Sequence, residues 1–245
     1  MEKYFGLIPA AGMATRMRPF RYPKELLPVH FQPAKQNEFI RPKLLIEYSL
    51  EALSAGGVDH VYIVVPEWKP EIMRYLENGA QFGHEIAYLY NSNALGLADA
   101  LLSGYPWLKE NLTFFVMPDT LFSPAGAFAD LEQKLHSENA DLVLGVFPTD
   151  EAQHLAPVEF AENGRVLNIW EKPPLPKFNN TWGIAIWNSN FWTYFKDNSS
   201  NLTAGISITE TFHNAAQSNL KVFCVYFEQG WYRDVGRINN ISMIR

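Results

Sequence analysis

Four cations, Arg16, Arg18, Arg21 and Lys24, crowd in and just beyond the small-residue stretch "PAAGMATR" (residues 9–16). That stretch in turn follows an apolar run, "YFGLIP". Backbone N–H groups at such a turn can converge on one anion, and Gly or Ala lets a phosphate approach the main chain. The chemistry on offer is phosphate binding; the plain alternative is a solvated loop after an edge strand. The stretch lacks the Gly-Lys-Ser/Thr ending of a P-loop and the G-x-G-x-x-G of a dinucleotide fingerprint. Arg18 and Arg21 serve equally well as surface residues beside it.

Two acids offer a second kind of chemistry. Asp119, in "VMPDTLF", stands just past a buried strand, at the edge where open α/β sheets bind ligands. Most aspartates in that position only shape turns or cap helices. Asp234, in "WYRDVGR", follows an aromatic-rich segment and precedes a glycine. Two carboxylates from distant parts of the chain can share one Mg²⁺, which takes a few carboxylates together with substrate phosphate oxygens. "NALGLADALL" opens a helix at Gly96 and can bring backbone close to a base or ribose. "WEKPP" sets Glu171 and Lys172 at a strand end, before prolines that stop it.

The elements that must position these residues are legible as alternation. Apolar runs at "YFGLIP", "HVYIVVP" (60–66), "HEIAYLY" (84–90), "LTFFVMP" (112–118) and "DLVLGVFP" (141–148) read as strands covered on both faces. Helical patterns lie between them: "IEYSLEALSAGG", "KPEIMRYLENG" and a single helix over "LADALLSGYPWL". The expectation is an α/β, Rossmann-like, doubly wound sheet, mixed but mostly parallel, with helices on both faces. Beyond Pro148 the texture changes. "VEFAENGRVLNIWEKP" predicts a hairpin turning at Glu162-Asn163-Gly164. "TWGIAIWN" and "KVFCVYF" predict strands. "SITETFHNAAQSN" predicts a helix with Ser207 as N-cap and Glu210 at the capping-box position. This half extends the same sheet and adds a small β-rich lid. "FQPAKQNEFIRP" (31–42) reads as an unpatterned loop. The 245 residues are expected to form one domain, with a nucleotide-binding half over about 1–148 and a second half over about 149–245.

Composition narrows the partners. The chain is 47% hydrophobic and 19% charged, enough apolar material for a sizeable core. A net charge of −6 argues against a general affinity for nucleic acid or anionic membrane, leaving the small cation cluster to face a small polyanion. No apolar stretch approaches the length that spans a bilayer, and no leader pattern opens the sequence, so a cytoplasmic protein is expected. A homo-oligomer through surface helices is compatible with the sequence. The single cysteine, Cys224, excludes an intrachain disulfide and reads as a buried small hydrophobe. The six histidines show no metal-ligand spacing. Trp182, Trp187 and Trp192 read as core residues before sugar-stacking ones. Glu25 is expected to pair with a neighbouring arginine.

The ordered set PAAGMATR, PKELLPV, GLADALL, PDTLF, EKP, WGIAIW and DVG resembles the sugar-1-phosphate nucleotidylyltransferases, the bacterial UDP-glucose and dTDP-glucose pyrophosphorylases among them. The likeness runs from Ile8 to about Asn240 and lies in the set rather than in any one piece. It implies transfer of a nucleotidyl group from an NTP, UTP or dTTP, to a sugar 1-phosphate such as glucose 1-phosphate. The implied products are an NDP-sugar and pyrophosphate, and the implied cofactor is Mg²⁺. Ala10, Ala11 and Gly12 would hold the base and ribose side of the nucleotide, and Gly96 would touch the base. Arg16 would grip the β- and γ-phosphates. Lys24 would bind phosphate where nucleotide and sugar phosphate meet. Asp119 and Asp234 would hold the metal, Glu171 the sugar hydroxyls and Lys172 the sugar phosphate. Gly183 would leave room for the sugar ring, and the second half would be the sugar-binding extension. Ending soon after "DVGRINN", the sequence predicts no appended β-helix or acyltransferase domain.

Some positions depart from the pattern. Ala14 stands at the family's second loop glycine, and would cost about 1 kcal/mol or more if φ is positive there. No glutamine precedes "GLA"; Asn91 and Asn93 are the nearest base readers. Ala156-Pro157 stands where a glycine often lies, and Arg233 adjoins Asp234. Two other functions share the pattern: a cytidylyltransferase acting on phosphocholine or an alditol phosphate, and a nucleotide-sensing protein with little turnover.

Overall fold

The computed structural model describes residues 3–12, 22–33, 40–92, 95–199 and 207–235. In chain order the first half runs β1 (Tyr4–Pro9), β2 (Pro28–Pro33), β3 (Ile40–Leu44), α1 (Leu45–Ala55), β4 (His60–Val65), α2 (Pro70–Leu76), β5 (Glu85–Tyr90), α3 (Leu97–Leu102), α4 (Tyr105–Leu108) and β6 (Leu112–Val116). The chain continues through β7 (Thr120–Ser123), α5 (Ala127–Glu138), β8 (Leu142–Pro148), β9 (Val158–Phe160), β10 (Val166–Ile169), β11 (Asn180–Trp187), α6 (Ser189–Asp197), α7 (Ile208–Ala216), β12 (Val222–Tyr226) and β13 (Trp231–Asp234).

Seven strands make the central sheet, in the order β12-β8-β11-β6-β1-β4-β5. The β1–β4, β1–β6, β4–β5 and β8–β12 pairs are parallel, as the alternation predicts. β11 runs antiparallel between β6 and β8. All five residues of β6 and all eight of β11 are buried, so neither strand shows a polar face. The reason is that both faces are covered. Leu50, Ile72 and Phe128 from α1, α2 and α5 pack on one face. Leu101, Leu108, Trp192 and Phe212 from α3, α4, α6 and α7 pack on the other. Along β1 the alternation sends Leu7 to the second cluster and Ile8 to the first.

Trp187 and Trp192 are fully buried, edge to face at 5.4 Å, and Trp182 meets Phe212 at 5.1 Å. These rings are core, as expected. Trp187→Ala should lower stability by ~3–5 kcal/mol, the usual cost of deleting a buried aromatic side chain. A urea melt with an unchanged slope would measure it. Cys224 is buried in β12, and burial pushes its thiol up to about 12, so it stays protonated and inert at neutral pH.

Three local expectations are corrected. "FQPAKQNEFIRP" is not simply a loop: Phe31–Pro33 and Ile40–Pro42 belong to an antiparallel β2–β3 ribbon, with 34–39 outside the described residues. Prolines at 28, 33 and 42 conceal the strand pattern. A two-stranded ribbon tolerates them, because each strand keeps one edge that needs no N–H partner. "LADALLSGYPWL" is two helices rather than one. Pro106 cannot donate within a helix, so the chain breaks at Ser103-Gly104 and restarts with proline in the first turn of α4. The Ser207 cap forms, accepting from the Thr209 N–H at 3.1 Å, but its hydroxyl turns to Glu171 rather than into a box with Glu210. Among the described residues, no helix is long and apolar enough to cross a membrane.

Candidate active site

A cleft of about 250 Å³ opens at the carboxyl ends of β1 and β6. Ala11, Gly12, Lys24, Gly96 and Asp119 all line it, so five expected site residues meet in one place. Ala10 lies fully buried just behind, its N–H donating to the Val64 carbonyl at 2.8 Å. Gly96 holds φ at +137°, a conformation that favours glycine, and a Cβ there would meet nothing. It caps α3 and leaves the mouth of the cleft open. Arg16 and Ala14 lie outside the described residues, as do Arg18, Arg21 and Asn93. Asn91 is buried, and its amide donates to Asp99 Oδ2 at 2.9 Å and Ser103 Oγ at 3.0 Å. That amide ties β5 to α3.

At the base of the cleft, Lys24 Nζ donates to Asp119 Oδ2. Lys24 sits in a short 3₁₀ turn, Lys24–Leu26, and Asp119 stands between the end of β6 and Thr120, the first residue of β7. Burial alone would lower the Lys24 pKa, but the Asp119 carboxylate, with Glu25 and Asp234 behind it, raises it above the ordinary lysine value. Asp119 is 3% exposed, and its Oδ1 is buried with no hydrogen-bond partner among the described residues. A bare, buried carboxylate oxygen beside a cation is costly unless a ligand completes it.

The two acids meet through strands that the sequence reading missed. β7 and β13 form a separate antiparallel pair that sets Asp234 opposite Thr120, next to Asp119. The Val235 N–H donates to the Asp119 carbonyl at 3.0 Å and closes the ladder. A pair of carboxylates, one with a free buried oxygen, suits a hard oxygen-seeking ion such as Mg²⁺, which draws its remaining ligands from phosphate and water.

Glu171 and Lys172 pair with each other at 2.6 Å, outside the lining of this cleft. Burial would raise the Glu171 pKa, but hydrogen bonds from Lys172, Thr209 and Ser207 bring it below the usual carboxylate value. Lys172 holds φ at +46°, a left-handed conformation that a lysine rarely adopts, with its N–H donating to the Leu155 carbonyl at 2.8 Å.

Gly183 lies in β11 one step beyond the Ile184–Val116 pair, level with the approach to Asp119. The room left by its missing side chain is occupied. A Cβ on Gly183 would stand 2.5 Å from the Tyr232 ring and 3.3 Å from Phe147. The structure therefore spends this glycine on packing β13 against β11, which corrects the expectation of open space for a sugar ring. Gly183→Ala should cost ~1–3 kcal/mol through overpacking, measurable by denaturant melts.

Sequence reasoning also missed Lys69. Its ammonium is buried, donating to Glu25 Oε1 at 2.7 Å and the Ala10 carbonyl at 2.9 Å. Glu25 therefore pairs with this lysine and not with an arginine. The Lys-Pro in "EWKPE" reads only as a helix start, and nothing local marks the partner.

Fold and cleft together define a doubly wound α/β protein with a cleft at the carboxyl edge of its sheet. The chain belongs to the nucleotidyl transferase family, whose model matches residues 5–244. It is 30% identical to the glucose-1-phosphate thymidylyltransferase of Streptomyces griseus, over 70% of this chain and 45% of that protein. It is 27% identical to the UTP–glucose-1-phosphate uridylyltransferase of Synechocystis sp., over 95% of this chain and 60% of that protein. The chain thus spans roughly half the length of these curated relatives. A Bacillus anthracis structure, assigned as a glucose-1-phosphate thymidylyltransferase and solved with a sucrose, superposes with a TM-score of 0.84 at 19% identity. That match covers 98% of this chain and 93% of the other, and it establishes the shared fold.

Proposed function

We propose that the protein is a sugar-phosphate nucleotidylyltransferase joining an NTP, UTP or dTTP, to a sugar 1-phosphate, glucose 1-phosphate. The products are an NDP-sugar and pyrophosphate. The observation that carries this reading is the cleft itself. Small residues at Ala11, Gly12 and Gly96 open onto a half-buried lysine paired with a buried aspartate, one of whose oxygens is left bare among the described residues. The names of the Streptomyces and Synechocystis relatives, a thymidylyl- and a uridylyltransferase, support a pyrimidine nucleotide.

The reaction needs no protein base. A phosphate monoester has a second pKa of about 6, so its oxygen is already an anion at neutral pH. That oxygen attacks the α-phosphorus in line, the bond to the β-phosphate oxygen breaks, and pyrophosphate leaves with the electron pair. The obstacle is bringing two polyanions together. Lys24 is assigned phosphate at the junction, Lys172 the sugar phosphate and Glu171 the sugar hydroxyls, from their places in the motifs. Arg16 is assigned the departing phosphates from its place in the motif. Asp119 and Asp234 are the pair that would hold Mg²⁺, which supplies charge neutralisation on the phosphates when bound.

The test is pyrophosphate release with Mg²⁺, crossing UTP, dTTP, CTP, GTP and ATP with sugar 1-phosphates, phosphocholine and alditol phosphates. Turnover is expected with UTP or dTTP and a hexose 1-phosphate. Turnover confined to CTP with phosphocholine or an alditol phosphate would replace the acceptor. NTP binding with no turnover on any acceptor would move the protein to a sensing role.

A further inference from the structure

The buried Lys69–Glu25 pair sits at the cleft, which Glu25 lines, and neither residue is assigned a part in the reaction above. Lys69 is 4% exposed and Glu25 1%. A lysine so buried is expensive, and burial drives its pKa down while Glu25, and behind it Asp119, oppose the shift. Burial drives the Glu25 pKa up in the same way. An ion pair between well-packed apolar residues seldom adds stability, so its retention here calls for another role.

Geometry supplies one. Lys69 stands at the N-terminus of α2, after β4. Its ammonium bridges two segments that touch the proposed nucleotide from different sides. One is the Ala10 carbonyl, on the loop leaving β1; the other is Glu25, the neighbour of Lys24 in the 3₁₀ turn. Glu25 lines the cleft, and its second oxygen, Oε2, is buried without a hydrogen-bond partner among the described residues. Among the described residues, the loop end is also held by a main-chain bond from the Ala10 N–H to the Val64 carbonyl. Without Lys69, the Ala10 carbonyl would lose its side-chain donor and Glu25 its ion-pair partner, and each would turn to seek water.

We infer that Lys69 is a positioning residue for nucleotide binding: by tying the Ala10 carbonyl to Glu25, it holds the Ala10–Gly12 main chain and the Lys24 turn in the register that receives the nucleotide. This rests on the nucleotide reading of the cleft. Lys69 touches no substrate; it acts through Ala10 and Glu25.

The experiment is calorimetric titration of the full chain with UTP and with dTTP, in the presence of Mg²⁺, for wild type, Lys69→Met, Lys69→Arg and the double variant Glu25→Gln/Lys69→Met. The double variant replaces the ion pair by neutral groups and guards against a Lys69→Met that fails to fold. The expected result is nucleotide affinity weakened about tenfold or more in the double variant, whose folded state is checked by melting. Lys69→Arg, which keeps a charged donor, should recover most of that affinity. In turnover assays the KM for nucleotide should rise by a similar factor while the KM for sugar phosphate stays within about twofold. Affinity within about twofold of wild type in the folded double variant would overturn the inference while leaving the nucleotide reading intact. A wild-type chain that binds neither nucleotide would overturn both.

Discussion

Asp119→Ala is expected to lower turnover on the order of 10³-fold while leaving the fold in place. The size of the effect follows from how many roles converge on one carboxylate. Oδ2 accepts from Lys24, and Oδ1 is buried and bare. The neighbouring strand supplies Asp234 as the second carboxylate. Removing the side chain deletes half of the acid pair and frees Lys24 to swing away from the phosphate junction. The fold should survive because β7 and β13 are joined through main-chain bonds, and the Asp119 carbonyl keeps the Val235 N–H. Pyrophosphate release, with circular dichroism and a thermal melt beside it, separates the two effects. Wild-type-like turnover in a folded variant would sink the metal and phosphate assignment together. Asp119→Asn keeps the shape and removes the charge, so it should lose nearly as much if charge is what matters.

The second large effect is expected at Lys24. Lys24→Met should reduce kcat by roughly 10²–10³-fold, the usual scale for a positioned charge facing developing negative charge. Lys24→Arg should retain part of the activity, since it keeps the charge with a different fork. Because Lys24 and Asp119 touch, their effects should not add. In the cycle of Lys24→Met, Asp119→Asn and the double variant, the double should be little worse than the poorer single. Full additivity in kcat would mean that the two residues act separately and that their ion pair is incidental. Lys24→Met also leaves Asp119 buried beside no cation, so some loss of stability should accompany the loss of rate, and the Asn partner should relieve it.

The site's parts differed in how visible they were before folding. The cleft's first wall was legible because its signal is local: an apolar run, then the small residues Ala11 and Gly12, which line the cleft together with Lys24. Asp119 was legible because a buried strand ending in Pro-Asp points to the ligand edge of an α/β sheet. The split between α3 and α4 was available in Pro106 and was passed over because the apolar period runs through it. The direction of β11 was not available, since a fully apolar run shows burial on both faces but not polarity relative to its neighbours.

By itself the sequence determined the strand and helix periods, the opening of α3 at Gly96 and the order of the charged residues. These depend on hydrogen bonding and side-chain spacing within a few residues. The tertiary structure alone decided that Lys24 meets Asp119 from 95 positions away and that Lys69 meets Glu25 from 44. It alone brought Asp234 beside Asp119 through two four-residue strands too short to announce themselves. It also spent Gly183 on Tyr232 rather than on open space. Such pairings depend on which surfaces the sheet brings together once both of its faces are covered, and no local pattern of residues encodes that choice.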